Sequence, residues 1–389
     1  MQNSIFVKNK KGCGIMNIVV DDILNLLSYF EKRYGFHALS WNLNKVSELN
    51  VFKEKLRQKL LELLLPNIPV EFRNASIDSS VIYDDVVIEK ISYGLPYGGK
   101  SEGFFMYPRK RVSEKLPAVL ALHDHGGFKY FGKEKIAFVS NEPEILRSYK
   151  KSFYGGRSWA FELAKKGFAV LAIDVFLFGS RRIGVVDETS IGDVNEVVKR
   201  YNEASYRIEN FVAKVLSIIG VSILGLIVYE DLVSLKYLLS RDEVDPNRIG
   251  SCGASLGGLR SLLLAALGNN VKCSVVAVAM STIDEIIKRG IEHAWTLYVP
   301  SMLKYFDFPD LALLHAPKPL MIQYCKQDAI FPYEGQLKAH NKILSIYKSL
   351  GAEHNYHGVF YEKPHIFDVE MQEDAFSWLS KCLSREDVQ

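Results

Sequence analysis

The sequence predicts an α/β fold: a mostly parallel central sheet of about eight strands with helices on both faces, plus a helical N-terminal extension. Three observations carry this. From about residue 76 onward, short apolar runs alternate with longer amphipathic stretches. Runs such as PAVLALHD and FAVLAID are apolar throughout, as strands buried on both faces are. The segments between them are long enough for the crossover helices that parallel strands require.

Residues 21–65 read as helical, because ILNLLSYFEKRY and VFKEKLRQKLLELL carry apolar residues three and four apart. Pro66 and Pro69 stop the second of these helices. The period then changes. SVIYDDVVIEKISYGL and EGFFMYP read as strands joined by the Gly-rich turn PYGGKSEG, so the sheet begins antiparallel. PAVLALHD is a buried strand, SWAFELAKKG a helix ending at Gly167, and FAVLAID a strand. Residues 205–240 read as one long helical stretch leading into the strand RIGSCGAS. Then follow the helix GLRSLLLAALG, the strands VKCSVVAVAMS and KPLMIQYCKQD, and the helix EGQLKAHNKILSIYKSLG. NYHGVFYE is the last strand and VEMQEDAFSWLSKCL the last helix. The chain divides into a helical extension over 1–75 and an α/β domain over 76–389, with loop insertions near 128–158 and 176–207.

The composition narrows the function. The chain has 389 residues, 48% hydrophobic and 24% charged, with a net charge of +3 and its basic residues scattered. That argues against nucleic acid as a partner. The cysteines Cys13, Cys252, Cys273, Cys325 and Cys382 are odd in number and form no CxxC pair. They read as reduced thiols, and no Cys/His cluster has zinc-ligand spacing. The first residues lack an apolar leader core and a cleavage site, so a cytoplasmic location is expected. The apolar run 211–229 nearly has the length of a membrane span. Lys214 interrupts it and a charged stretch follows, so it reads as a buried helix, without stable membrane insertion. The amphipathic N-terminal helices leave two uses open: a contact between copies in a homo-oligomer, or cover for the sheet edge.

One motif carries chemistry. Gly253-Ala254-Ser255-Leu256-Gly257-Gly258 fits G-x-S-x-G, with a strand before it and a helix after it. A nucleophile at so sharp a turn brings the residues two before and two after it close together, which favours Gly253 and Gly257. The turn also aims the first helical amide, that of Leu256, at the reaction centre. A serine needs a base, and the base an acid to orient it. Asp328 follows the strand LMIQYC, and His365 follows the strand VFYE. Both stand in the chain order that goes with this serine motif. Asp307 and Asp310 follow no clear strand; His293, His340, His354 and His357 fit the strand-then-loop position less well. The stretch LHDHGG after an earlier strand is where a second oxyanion amide belongs. Two registers are open. The donor is the amide of His125 if His123-Asp124 forms the turn pair, and that of Gly127 if His125-Gly126 does. The two histidines lack the rest of a metal-ligand set, so no metal is expected.

With these elements in place, the chain resembles the α/β-hydrolase superfamily, and within it the dienelactone-hydrolase-like and acetyl xylan esterase-like enzymes. The resemblance runs over about 77–383 and includes LHDHGG, AIDVFLFGSRR, SRDEVDPNRIGSCGASLGG, KQDAIFP and KPHIF. It implies a serine carboxylic-ester hydrolase working through an acyl-enzyme. The nucleophile would be Ser255, the base His365 and the acid Asp328, with a small-molecule short-acyl or acetyl ester as substrate and no cofactor. Several departures bear on the substrate. Dienelactone hydrolase proper has a cysteine where this chain has Ser255. The cephalosporin C deacetylase group carries Arg-Gly-Gln where this chain has Gly179-Ser180-Arg181-Arg182, and glutamate after the base where it has Ile366. Glucuronoyl esterases have arginine at the position of Leu256. A peptidase or amidase with the same triad would need an anchor such as Arg181, Arg182, Glu142 or Glu144. A non-catalytic, hydrolase-like binding protein is the third reading. The long insertions read either as walls or a lid over the site or as structural insertions, and the stretch Trp295-Thr296-Leu297-Tyr298 as a further cap.

Overall fold

A computed structural model describes residues 14–40, 48–65, 67–110, 113–184 and 192–384, with side chains from residue 20 onward. The leader reading, Cys13 and Pro66 lie outside the described residues. The N-terminal part contributes helices α1 (Gly14–Tyr34) and α2 (Leu49–Leu64). An antiparallel meander follows, with β1 (Arg73–Tyr83), β2 (Val86–Gly94) and β3 (Lys100–Pro108). After β4 (Leu116–Leu122) come α3 (Glu144–Phe153), α4 (Trp159–Lys165) and β5 (Ala169–Ile173). Helices α5 (Val194–Ile218) and α6 (Ile223–Leu239) lead to β6 (Val244–Ala254), α7 (Leu256–Leu267) and β7 (Val271–Ala277). The chain closes with α8 (Ile283–Lys288), α9 (Ala312–His315), β8 (Leu320–Cys325), α10 (Tyr333–Ser349), β9 (Tyr356–Tyr361) and α11 (Val369–Leu383).

The sheet order is β1-β2-β3-β5-β4-β6-β7-β8-β9. The pairings β1–β2, β2–β3 and β3–β5 are antiparallel and the rest parallel, as expected for a sheet that begins with short turns. Alternate side chains of each central strand enter cores on opposite faces. Leu116, Ala118, Leu120 and Leu122 of β4 join one core, which α2, α6, α7 and α10 cover. Val119 and Ala121 join the other, with Trp159 of α4 and Phe376 of α11. Two-sided burial explains why these strands are apolar throughout. Helix α2 belongs to the first core through Phe52, Leu56, Leu60 and Leu64. Helix α1 instead exposes Ile23, Leu26, Tyr29 and Tyr34.

Three expectations change. SVIYDDVVIEKISYGL is two strands, because Asp84 and Asp85 take positive φ of 46° and 59° and turn the chain between Tyr83 and Val86. This is the backbone that a tight hairpin requires, and it brings the strand total to nine among the described residues. The single helix read over 205–240 is also two helices. They meet at 89°, with Gly220 at φ 72° and the Ser222 hydroxyl capping the Gly225 N–H at 2.9 Å. The run 211–229 is therefore not one buried helix. Its α6 half is buried, but Phe211 is 68% and Ile218 84% exposed. Among the described residues no single helix is long and apolar enough to cross a membrane, although α5 and α6 together reach that length across their bend.

Candidate active site

The turn between β6 and α7 shows why glycines surround Ser255. A Cβ on Gly253 would lie 2.4 Å from the Gly257 carbonyl, and one on Gly257 would lie 2.1 Å from Leu122 O. On Gly258 it would meet Ala277 O at 2.7 Å. None of these backbone neighbours can move aside, so the turn closes only with hydrogen at these positions. Ser255 itself takes φ 55° and ψ −124°, a strained backbone for a residue with a side chain. Its N–H is held by Ala277 O at 2.9 Å and the residue is 7% exposed. Leu256 opens α7, so its N–H belongs to the first helical turn, where amides lack intrahelical acceptors.

Asp328 and His365 meet. His365 Nδ1 donates to Asp328 Oδ2 at 2.6 Å, leaving Nε2 as the ring's lone-pair nitrogen. Asp328 Oδ1 accepts from the N–H groups of Ile330 and Phe331 at 2.9 and 3.0 Å, so the turn after β8 fixes the carboxylate. The imidazole lies between Phe153 and Phe331, with ring centroids 5.5 and 5.8 Å away. The loop bearing it is tied down by Phe367 N–H donating to Phe153 O at 2.9 Å. Gln372 adds bonds to Tyr154 O and Phe367 O. Ser255 follows β6, Asp328 follows β8 and His365 follows β9, so all three stand at one edge of the sheet.

Five of the competing residues have other partners. Asp307 and Asp310 form a capping box, and Asp310 also accepts from Ser40 at 2.9 Å. His340 bonds the Tyr356 hydroxyl at 2.9 Å and His357 stacks on Trp378. His293 packs on Phe331, and burial pushes its imidazole down to about 4.

The LHDHGG loop is pinned from several sides. His123 Nδ1 bonds Asp124 O at 2.9 Å. His125 uses both ring nitrogens: Nδ1 accepts the Gly127 N–H at 3.0 Å and Nε2 faces Glu209 at 3.0 Å. Burial pushes this imidazole down. With Nδ1 taken up as an acceptor, Nε2 is the nitrogen that donates to Glu209. Gly126 sits at φ 55°, where a Cβ would lie 1.8 Å from the Tyr149 hydroxyl. Asp124 is buried beneath the loop and accepts from Tyr149 and Tyr154, the latter at 2.5 Å. Arg260 of α7 is buried, bonds His123 O at 3.0 Å and pairs with both oxygens of Asp231 at 2.9 and 2.7 Å.

Buried lysines fasten the 128–158 stretch to its surroundings. Lys129 pairs with Glu209, and Lys133 with Asp174 at 2.6 Å. Lys135 reaches Asp124, and Lys150 bonds Ala137 O and Ser158 at 2.9 and 2.8 Å. Burial pushes the Lys135 ammonium down to about 8 against the pull of Asp124. Burial would raise the Glu209 carboxyl, but His125 and Lys129 reverse that and hold it down at about 2. Glu209 also accepts the Trp295 N–H at 2.9 Å, which ties the 295–298 stretch to the His125–Glu209–Lys129 cluster. The groups considered as peptide anchors are occupied nearby: Arg181 with Glu230 at 3.0 Å, Glu142 with Lys150, and Glu144 with Arg147. Arg182 lies over the Tyr130 ring.

The sequence reading missed Glu209, Lys135, Asp174 and Arg260. Two of them left a signal. Arg260 is a lone charge in the apolar run GLRSLLLAAL, and Asp174 follows the strand FAVLAI as Asp328 follows LMIQYC.

A strained serine at a strand-to-helix turn, with an acid–imidazole pair beyond later strands of a mostly parallel sheet, defines the α/β-hydrolase class. Within that class, the chain belongs to the Abhydrolase family, whose model matches residues 46–333. It is 28% identical over 331 residues to the protein YtaP of Bacillus subtilis (strain 168), covering 84% of this chain and 99% of that protein. Among solved structures it is similar to BF1801 of Bacteroides fragilis NCTC 9343, at 18% identity and TM-score 0.66, covering 91% of this chain and 84% of that one. It is also similar to acetyl xylan esterase 1 from Thermoanaerobacterium sp. JW/SL YS485, at 15% identity and TM-score 0.52, covering 85% and 94%. At these identities the structural likeness is one of fold.

Proposed function

We propose that the chain is a serine carboxylic-ester hydrolase that acts on small-molecule esters with a short acyl group, acetyl included. The observation that carries this reading is the 2.6 Å contact between His365 Nδ1 and Asp328 Oδ2, at the sheet edge where Ser255 is held at φ 55°. Ser255 Oγ attacks the ester carbonyl and its proton passes to His365 Nε2. Asp328 keeps the imidazole oriented and stabilises its cation. The amide of Leu256, with one from the His125-Gly126-Gly127 loop, receives the oxyanion. The alcohol leaves with the proton from His365, and water activated by the same nitrogen releases the acid.

The similarity to acetyl xylan esterase 1 supports an acyl ester as substrate class. The buried pairing of Arg181 with Glu230 and of Glu142 with Lys150 argues against the peptidase reading, which needs a free anchor. Hydrolysis of p-nitrophenyl acetate by purified protein tests the proposal. Ser255→Ala should lower kcat by about a thousandfold or more. A variant that keeps most of the rate would remove Ser255 from the role.

A further inference from the structure

The loop after β4 presents successive backbone carbonyls at His123, Asp124 and His125, and side chains pin each of them. Arg260 Nη1 donates to His123 O at 3.0 Å. Lys135 Nζ donates to Asp124 O at 2.5 Å, an acceptor it shares with His123 Nδ1 at 2.9 Å. The same ammonium lies 3.4 Å from His125 O and 3.4 Å from Asp124 Oδ1. A lysine has three N–H donors and no acceptor, so its full capacity goes to the Asp124-His125 dipeptide. Lys135 is 0% exposed, with the rings of Phe178 and Tyr149 5.2 and 5.7 Å from its nitrogen. A buried ammonium is poor evidence of stability, since an apolar side chain of similar size often does as well. Its geometry points to orientation instead.

The Asp124–His125 peptide is trans. In a trans peptide the C=O of one residue and the N–H of the next point in opposite directions. Holding Asp124 O toward Lys135 therefore aims the His125 N–H the other way, and that N–H has no acceptor among the described residues. The competing donor, the Gly127 N–H, is already given to His125 Nδ1. Strand β4 lies beside β6 with Leu122 opposite Gly253, so this loop leaves the sheet next to the serine turn.

We propose that Lys135 is the positioning residue of the oxyanion hole, clamping the Asp124 and His125 carbonyls so that the His125 N–H, with that of Leu256, meets the oxyanion. The proposal rests on Ser255 as nucleophile. As the Ser255 Oγ–carbon bond forms, the serine proton moves to His365 and the carbonyl π pair moves onto the oxygen. Lys135 touches none of these atoms and acts through the peptide plane.

The experiment compares Lys135→Met, Lys135→Gln and Ser255→Ala on p-nitrophenyl acetate. Loss of one oxyanion donor costs about 10²- to 10³-fold in kcat. Lys135→Met should thus lose at least about tenfold in kcat with KM within about threefold. Lys135→Gln, which keeps an N–H donor, should recover part of the loss. A wild-type kcat in Lys135→Met, or a raised KM with kcat unchanged, overturns the proposal while an inactive Ser255→Ala leaves the nucleophile standing. An active Ser255→Ala overturns both. If Lys135→Met does not fold, exchanging His125 for its α-hydroxy acid replaces the N–H with an ester oxygen. That exchange should lower kcat by about a hundredfold, and an unchanged kcat overturns the proposal.

Discussion

At the scale of single residues, the site divides into groups that local sequence reveals and groups that only the folded chain brings together. Ser255 is legible because its requirements are local: three glycines whose Cβ positions would collide with backbone, a strand before and a helix after. Asp328 and His365 are legible by position, each in the loop after an apolar run. Glu209 and Lys135 are not. Glu209 meets His125 across 84 residues of sequence, from the middle of a helix whose pattern gives no sign of a buried carboxylate. Asp328 carries a prediction. In Asp328→Asn the Oδ1 bonds to Ile330 and Phe331 can persist, but an amide N–H₂ in place of Oδ2 opposes the His365 Nδ1–H and drives the ring to the wrong tautomer. By the usual behaviour of such triads, kcat should fall about 10³- to 10⁴-fold with the fold retained. Steady-state kinetics with a matched thermal melt checks this.

At the scale of elements, period and burial identify most strands and helices, and the misses have physical causes. The α5–α6 boundary hides inside an apolar run, so the pattern continues through a break that Gly220 and the Ser222 cap in fact make. The β1–β2 turn is made by Asp84 and Asp85 at positive φ, without the glycine that usually announces a two-residue hairpin. The two N-terminal helices look alike as sequence but are used differently. Leu60 of α2 is buried in the main core, whereas Leu26 of α1 faces solvent. Leu60→Ala should cost about 2–5 kcal/mol, and Leu26→Ala should stay within about 0.5 kcal/mol. Urea unfolding of the two variants measures the difference. Equal effects would mean that α2 is not part of the core.

At the scale of the molecule, the sheet supplies one edge on which loops from β4, β6, β8 and β9 converge, and buried ion pairs tie the 128–158 stretch to neighbouring elements. This makes stability depend on acid in a defined way. Glu209 is held down at about 2 from an ordinary value of 4.5. Its contribution is therefore fully present above about 4.5 and is lost as pH falls toward about 2. A shift of that size corresponds to about 3 kcal/mol. The stability margin of the wild type over Glu209→Gln should shrink by up to that amount between pH 6 and pH 2.5, as denaturant titrations at each pH would record. The catalytic reading depends most on Ser255 itself, and covalent labelling addresses it directly. Intact mass and peptide mapping after reaction with a fluorophosphonate should find one adduct on Ser255 and none on folded Ser255→Ala. An adduct on another residue, or no adduct on folded wild-type protein, would contradict the account.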